Sequence, residues 1–298
     1  MSKETAIDIV ERQDWLDAAG DAIQPAVLGV FEAGGEAGQE IKNFLHGTWL
    51  GHPLHPVITD IPIGAWTTAA VLDGLELLGG KEKYAPGADA AVAIGLVGAV
   101  GAAVTGLTDW SGTTKEKRKV GLMHGLLNGT ATVLYATSFL MRKSDKSRKT
   151  AIGLSMLGYG IAGAAAYLGG HLVYGEQVGV DHTATAQEYP KDFTAVLPEG
   201  ELAENSMKCV EAGEIPVLLA KKNGKIFALA HTCSHLGGPL SEGELLDDCS
   251  VKCPWHGSRF SLEDGIVLDG PATEPQPQFE VRTGGGQVEV KLSKNENG

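Results

Sequence analysis

The sequence predicts a multi-domain chain, in which an all-α bundle of four transmembrane helices precedes a smaller domain organised around cysteine and histidine. Three observations carry this. The chain has 298 residues, more than one typical domain of ~100–200 residues requires. Residues 57–174 are dominated by Gly, Ala, Leu, Val and Ile in four stretches, 61–79, 89–108, 120–141 and 150–173. Each stretch is near the ~20 residues that cross a bilayer. Two closely spaced donor pairs follow near the C-terminus, Cys233-Ser234-His235 and Cys253-Pro254-Trp255-His256.

In chain order, residues 1–45 read as acidic amphipathic helices over 5–18 and 26–45 that lie at the surface or cover the bundle. They contain neither an apolar h-region nor a twin-arginine pair, so no cleaved export signal is expected. Residues 46–174 form the four-helix domain, with charged connections at Lys81-Glu82-Lys83, 115–119 and 142–149. Asp73 and Glu76 inside the first stretch speak for a soluble bundle, because charge in lipid is costly and needs a partner. The second and fourth stretches speak for lipid, being apolar all round with small residues at Gly95, Gly98, Gly101, Gly106, Gly158, Gly160 and Gly163. Small residues permit the close helix approach on which membrane packing relies. The expectation is a multi-pass protein of the inner (cytoplasmic) membrane. Residues 175–190 are polar and read as a linker to a domain over 191–298.

Asp60 suits an N-cap and Pro62 a first helical turn, which starts the first span just after His52 and His55. Antiparallel helices then gather His52, His55, Asp60, Asp109, His124 and His171 at one membrane face. These are either interfacial, hydrogen-bonded groups or a site between helices. Such a site would hold haem b between two imidazoles, with His124 and either His55 or His171 as axial ligands, or a metal held by His and Asp, or a quinone. The motifs His52-Pro53-Leu54-His55-Pro56, Asp60-Ile61-Pro62-Ile63-Gly64, Gly106-Leu107-Thr108-Asp109-Trp110 and Gly121-Leu122-Met123-His124 resemble an uncharacterised bacterial family of four-span membrane domains.

Two Cys and two His at short spacings suit a tetrahedral zinc ion, or a [2Fe-2S] cluster with two thiolates on one iron and two imidazoles on the other. The segment over 227–281 resembles the Rieske ferredoxin family, and the likeness extends over about residues 193–292. It implies an all-β domain, a 2Fe-2S cluster in place of zinc, and Cys233, His235, Cys253 and His256 as ligands. It also implies clamping loops over 233–238 and 253–260, covered by a third loop at Gly270-Pro271-Ala272. Gly238 and Trp255 stand where the cytochrome bc members of the family carry a disulfide. Ser258 stands where a hydroxyl bonds a bridging sulfur, and Phe260 replaces a sulfur-bonding tyrosine. Losing a donor disfavours the reduced cluster, so the expected potential is low for the family, on the order of −150 to +100 mV. The resemblance also implies outer imidazole nitrogens at the surface that lose protons on oxidation.

The net charge of −13 argues against nucleic acid and against an anionic-lipid-binding tail. Cys209 and Cys249 are expected to be buried free thiols, and an absence of disulfides fits a reducing compartment. Lys and Arg in the loops weakly favour an external C-terminal domain. Cluster assembly in the cytoplasm argues more strongly for a cytoplasmic one. No mononuclear-iron motif follows His256, so a ring-hydroxylating oxygenase subunit is not expected. The chain reads as a membrane-anchored electron carrier that serves a redox protein partner or a quinone and has no evident substrate site of its own. The alternatives are a tethered ferredoxin of a multi-subunit oxygenase or reductase, and a non-catalytic redox sensor.

Overall fold

The computed structural model describes residues 5–144, 146–183 and 189–293. These form two compact units. One comprises residues up to Leu45 together with Pro53–Gln177, and the other comprises His46–His52 with Val178 onward.

The first unit is helical. Helix α1 (Ala6–Glu11) begins at a capping box in which Thr5 and Asp8 bond each other's backbone amides. Helix α2 (Asp14–Ala33) runs through Pro25, and α3 (Gly35–His46) follows it. The expected boundaries at 5–18 and 26–45 are therefore displaced, because the chain breaks at Arg12-Gln13 and at the Gly34-Gly35 pair, where Gly35 has φ +55°. Ile7, Val10 and Leu16 pack with Trp110, Val120, Leu122 and Leu168, so the N-terminal helices cover one end of the long helices. Arg118 fastens them further through Asp17 and Asp21, at 3.0 and 2.5 Å.

Four long helices follow: α4 (Leu54–Leu75), α5 (Lys81–Trp110), α6 (Lys115–Met141) and α7 (Arg148–Tyr174). Helix α4 packs chiefly on α5, and α6 on α7. Helix α4 starts earlier than expected. Pro53 is its N-cap and Pro56 lies in the first turn, where no amide is needed. His55 is therefore a helical residue, Asp60 is an exposed residue of the helix body, and Pro62 lies within the helix. Helices over Leu54–Gly79, Lys83–Trp110 and Arg148–Tyr174 are long and apolar enough to cross a membrane. Helix α6 falls outside that group, since Asn128, Thr130, Thr132, Thr137 and Ser138 dilute its apolar run. On α5, the side chains of Val97 and Val100 are largely exposed.

The acidic residues within the first stretch are paired. Arg142, the C-cap of α6, binds Asp73 of α4 at 2.7 Å and Asp89 of α5 at 3.1 Å. Arg148 of α7 binds Glu76 and Asp89 at 2.7 and 2.9 Å. Ser138 and Ser155 complete the network. Two cations and three carboxylates thus tie all four long helices at one level.

The second unit is all-β. A six-stranded antiparallel sheet has the order β1 (Thr194–Pro198), β10 (Gln287–Leu292), β9 (Gln278–Gly284), β4 (Lys225–Ala230), β3 (Ile215–Lys222), β2 (Ser206–Ala212). A four-stranded sheet of β5 (Glu244–Leu245), β6 (Ser250–Lys252), β7 (Arg259–Ser261) and β8 (Val267–Asp269) is inserted between β4 and β9. Strand β3 is buried on both faces. Val217 and Leu219 enter the core of the large sheet, while Leu218 and Ala220 meet Leu240, Val251, Phe260 and Leu262 beside the small one. The β9–β10 hairpin turns on Gly285-Gly286, both at positive φ.

Two expectations need correction here. Cys209 is exposed, because alternation along β2 turns it outward. Cys249 is half-buried in a left-handed turn at φ 58°. Both are free thiols. Within the stretch expected as a linker, the backbone amide of His182 donates to the Ser234 carbonyl at 2.9 Å.

Asp73→Ala leaves the Arg142 guanidinium buried with its main partner gone. The variant should lose about 3–5 kcal/mol of stability, read as a lower unfolding midpoint in detergent. Replacing Asp73 and Arg142 together by leucine should cost clearly less.

Candidate metal centre

Two loops of the β unit close in the same way. In the β4–β5 loop, the Cys233 amide donates to the Gly238 carbonyl at 2.9 Å, and the Gly237 amide returns to the Cys233 carbonyl at 2.9 Å. In the β6–β7 loop, the Cys253 amide donates to Ser258 at 2.8 Å, and the Gly257 amide returns to Cys253 at 3.1 Å. Gly237 and Gly257 stand at φ +78° and +77°, a conformation that glycine adopts without strain. Gly stands four residues after each Cys, so this feature is legible in the sequence.

Each turn wraps backbone amides around a sulfur. The His235 and Leu236 amides bond Cys233, and the Trp255 and His256 amides bond Cys253. The thiols also bond each other. Sharing that hydrogen bond holds Cys253 down to about 7, while the same bond and burial push Cys233 well above the usual thiol range. Gly238 is a third required glycine, since a Cβ there would stand 2.8 Å from Cys253 Sγ and 3.1 Å from the Trp255 ring.

The imidazoles of His235 and His256 are half-buried, with ring centres 5.0 Å apart and planes at 89°. His235 Nδ1 is sealed from solvent. With a metal–nitrogen bond of about 2.1 Å and a ring centre about 1.1 Å behind the nitrogen, two imidazoles on one ion stand about 5.2 Å apart at the tetrahedral angle and about 6.4 Å apart in trans. The observed spacing suits one tetrahedral ion, and the adjacent thiol pair suits a second. The donor set therefore fits a [2Fe-2S] cluster.

A third loop locks the other two. Gln276, fully buried, accepts from the Ser234 amide at 3.0 Å and donates to the carbonyls of Ala230, at 2.9 Å, and Thr232. Ser234 Oγ donates to the Glu274 carbonyl at 2.8 Å. The Ala272 amide, next to Pro271, donates to Ser258 Oγ at 2.9 Å, which uses an acceptor position of that hydroxyl and leaves its proton to donate elsewhere. Phe260 is fully buried against the two cysteines and Leu262. Pro254 and Trp255 are exposed beside His256, the indole 6.3 Å from the imidazole. Gln276 carried no sequence signal, because its partners are backbone groups.

The histidines of the helical unit divide. His55 and His124 come together with ring centres 6.4 Å apart, and Asp109 lies within electrostatic reach of His55. His171 belongs elsewhere, 3.6 Å from Glu176 and grouped with Glu11. His52 falls in the β unit, where Nδ1 is 3.1 Å from Glu274. The six residues expected at one membrane face are thus not one site, because helix ends that share a level still point their side chains in different directions.

Comparison with known proteins gives a match for each unit. Residues 51–182 match a family described as "Predicted membrane protein (DUF2231)", and residues 192–280 match "Rieske [2Fe-2S] domain". The human protein named "Apoptosis-inducing factor 3" is 39% identical over 118 residues, 38% of this chain. The chain spans 19% of that relative's length. The "3-phenylpropionate/cinnamic acid dioxygenase ferredoxin subunit" of Escherichia coli (strain K12) is 35% identical over 98 residues, 33% of this chain and 87% of the relative. Among solved structures, the ferredoxin of carbazole 1,9a-dioxygenase from Nocardioides aromaticivorans IC177 aligns with 34% of this chain and 98% of its own, at 20% identity and a TM-score of 0.33.

Gln276→Leu strands the Ser234 amide and two carbonyls. It should destabilise the β unit by about 1–3 kcal/mol for each group left unpaired, measured by thermal unfolding of the full chain, whereas Thr283→Val at an exposed position of β9 should be near neutral.

Proposed function

On the premise that this chain belongs to the Rieske [2Fe-2S] family through its C-terminal unit, we propose that the full protein is a membrane-anchored carrier of single electrons. The observation that carries the reading is the matched pair of loops, which presents two bonded thiols beside two perpendicular imidazoles 5.0 Å apart. Cys233 and Cys253 hold one iron, and His235 and His256 hold the other. The cluster supplies reversible one-electron chemistry. Zinc is the other ion that suits such donors, and metal and sulfide content distinguish the two.

The chain's own residues then set the potential and the contact with a partner. Amides around both cysteines favour the reduced, more negative state. The Ser258 hydroxyl, its acceptor side engaged by Ala272, keeps its proton for a sulfur of the cluster. Phe260 offers no hydroxyl, which keeps the potential in the lower part of the family's range. Pro271 and Ala272 cover the centre from a third side. Pro254 and Trp255, exposed beside His256, form an apolar landing place where a partner takes or gives the electron.

For the helical domain, placed at 46–174 with a linker at 175–190, the reading is a four-helix transmembrane bundle. Three helices have the length and apolarity, α6 completes the set by its packing on α7, and the exposed valines of α5 face lipid. The ion network suits such a bundle, since each internal charge faces an opposite one. The cluster-bearing unit lies on the cytoplasmic side of the inner membrane, where clusters are assembled. Electron relay needs neither haem b nor a quinone in the helical unit. The second reading, a tethered ferredoxin of an oxygenase or reductase, is favoured by the likeness to the E. coli ferredoxin subunit. Copurification of an oxygenase chain would select it.

The test is direct. Full-length protein solubilised in detergent under anaerobic conditions should contain two irons and two acid-labile sulfides per chain, with a Rieske-type magnetic resonance signal that Cys233→Ser abolishes. Zinc without iron or sulfide overturns the proposal. Ser258→Ala removes one charge-assisted donor worth about 1.5–3 kcal/mol, so the midpoint potential should fall by about 60–130 mV in a redox titration.

A further inference from the structure

The four long helices are two copies of one hairpin. His55, Trp66 and Asp73 of α4 recur 69 residues further on as His124 and Tyr135 of α6 and its C-cap Arg142. Gly95, Ala102 and Gly106 of α5 recur 63 residues further on as Gly158, Ala165 and Gly169 of α7. The contacts repeat with the sequence. Trp66 lies over Gly95 and Tyr135 over Gly158, where an added Cβ would meet the rings at 2.2 and 3.2 Å. His55 lies over Gly106 and His124 over Gly169, at 2.7 and 2.9 Å. His55 Nδ1 bonds the Ala102 carbonyl at 2.9 Å, and His124 Nδ1 bonds the Ala165 carbonyl at 2.8 Å.

Equivalent residues of the two hairpins meet in three tiers. Asp73 pairs with Arg142, Trp66 stacks on Tyr135 at 4.0 Å, and His55 faces His124 at 6.4 Å with ring planes at 87°. The first tier is an ion pair and the second a ring stack, in which Trp66 Nε1 and Tyr135 Oη lie buried without hydrogen-bond partners. In the third the two rings stand apart. A carbonyl only accepts, so each Nδ1 carries the proton and each Nε2 presents a lone pair on the far side of its ring. A backbone carbonyl on Nδ1 is also the device that fixes the ring of a metal-bound histidine. The spacing is wider than that of His235 and His256 and equals the separation of about 6.4 Å for two imidazoles in trans on one ion.

We propose that His55 and His124 bind a metal centre between their Nε2 atoms, one imidazole from each repeat. The shared chemistry is a metal that takes two nitrogens in trans, either the iron of a haem or a bare soft ion such as copper. The Asn128 amide, 3.2 Å from His124 Nε2, is the partner that a metal would replace there. Gly106 and Gly169 provide the room for the rings, which gives both glycines a purpose beyond helix packing. The inference is independent of the cluster proposed in the β unit.

The experiment uses the full chain, produced with iron, haem precursor and copper supplied, then solubilised in detergent. Total metals, the haem pyridine spectrum, and the iron–sulfur signal are measured on the wild type, His55→Ala, His124→Ala and Gly106→Ala. The expected result is about one metal per chain beyond the two cluster irons, reduced at least tenfold in either histidine variant while the iron–sulfur signal persists. Gly106→Ala should also lower occupancy, because its methyl group displaces the His55 ring. A haem spectrum identifies the source as haem, and copper without that spectrum identifies a bare ion. Wild-type protein with no metal beyond the cluster irons overturns the proposal, as does a metal retained in both histidine variants. The wild-type measurement needs no variant to fold, and persistence or loss of the iron–sulfur signal reports separately on the electron-carrier reading.

Discussion

The closeness of the two buried sulfurs of Cys233 and Cys253 is the constraint around which the β unit is arranged. To bring two buried sulfurs together, two loops must approach until no side chain fits between them, which is why Gly238 has no Cβ to spare. Each loop then turns back through a left-handed glycine so that its amides surround the sulfur. The same turn places one histidine two or three residues after the cysteine, on the same side as its counterpart. The six-stranded sheet supplies a rigid base through β3, and Gln276 ties the first loop to the third. Loops of this kind bear function because a packed scaffold positions them.

The helical unit solves a different problem. Its long helices carry little polarity, and the internal charges they have are matched. Asp73, Glu76 and Asp89 face Arg142 and Arg148, so none of these charges is left alone in an apolar interior. Breaking one partner costs more than the pair contributes, because it abandons a charge where water is scarce. Residues at matching positions of the two hairpins face one another, an acid opposite a base, an indole over a phenol, and two imidazoles.

The two units differ in how openly the sequence shows them. The donor pairs are local: Cys-x-His and Cys-x-x-His lie within four residues, so the chemistry of the centre is legible before any fold is known. The apolar stretches are equally local, and the long helices lie where hydropathy puts them. The first turn of α4 was misread because Asp60 and Pro62 form a plausible cap and first turn, yet Pro53 and Pro56 form an earlier one. The covering helices were misplaced for a similar reason, since a short break at Arg12-Gln13 leaves almost no compositional trace. Cys209 and Cys249 came out exposed and half-buried because strand alternation and a left-handed turn, and not thiol polarity, set their burial.

By itself the sequence determined the kinds of donor, their spacing and the apolar lengths, because these depend on residues a few positions apart. Tertiary structure alone decided which distant groups meet. Gln276 reaches the first loop across some forty residues, Arg142 finds Asp73 across 69, and of six polar residues at helix ends only His55 and His124 pair their rings. Those outcomes depend on helix rotation and loop closure, which fix the direction of a side chain and leave no mark on the local pattern of residues.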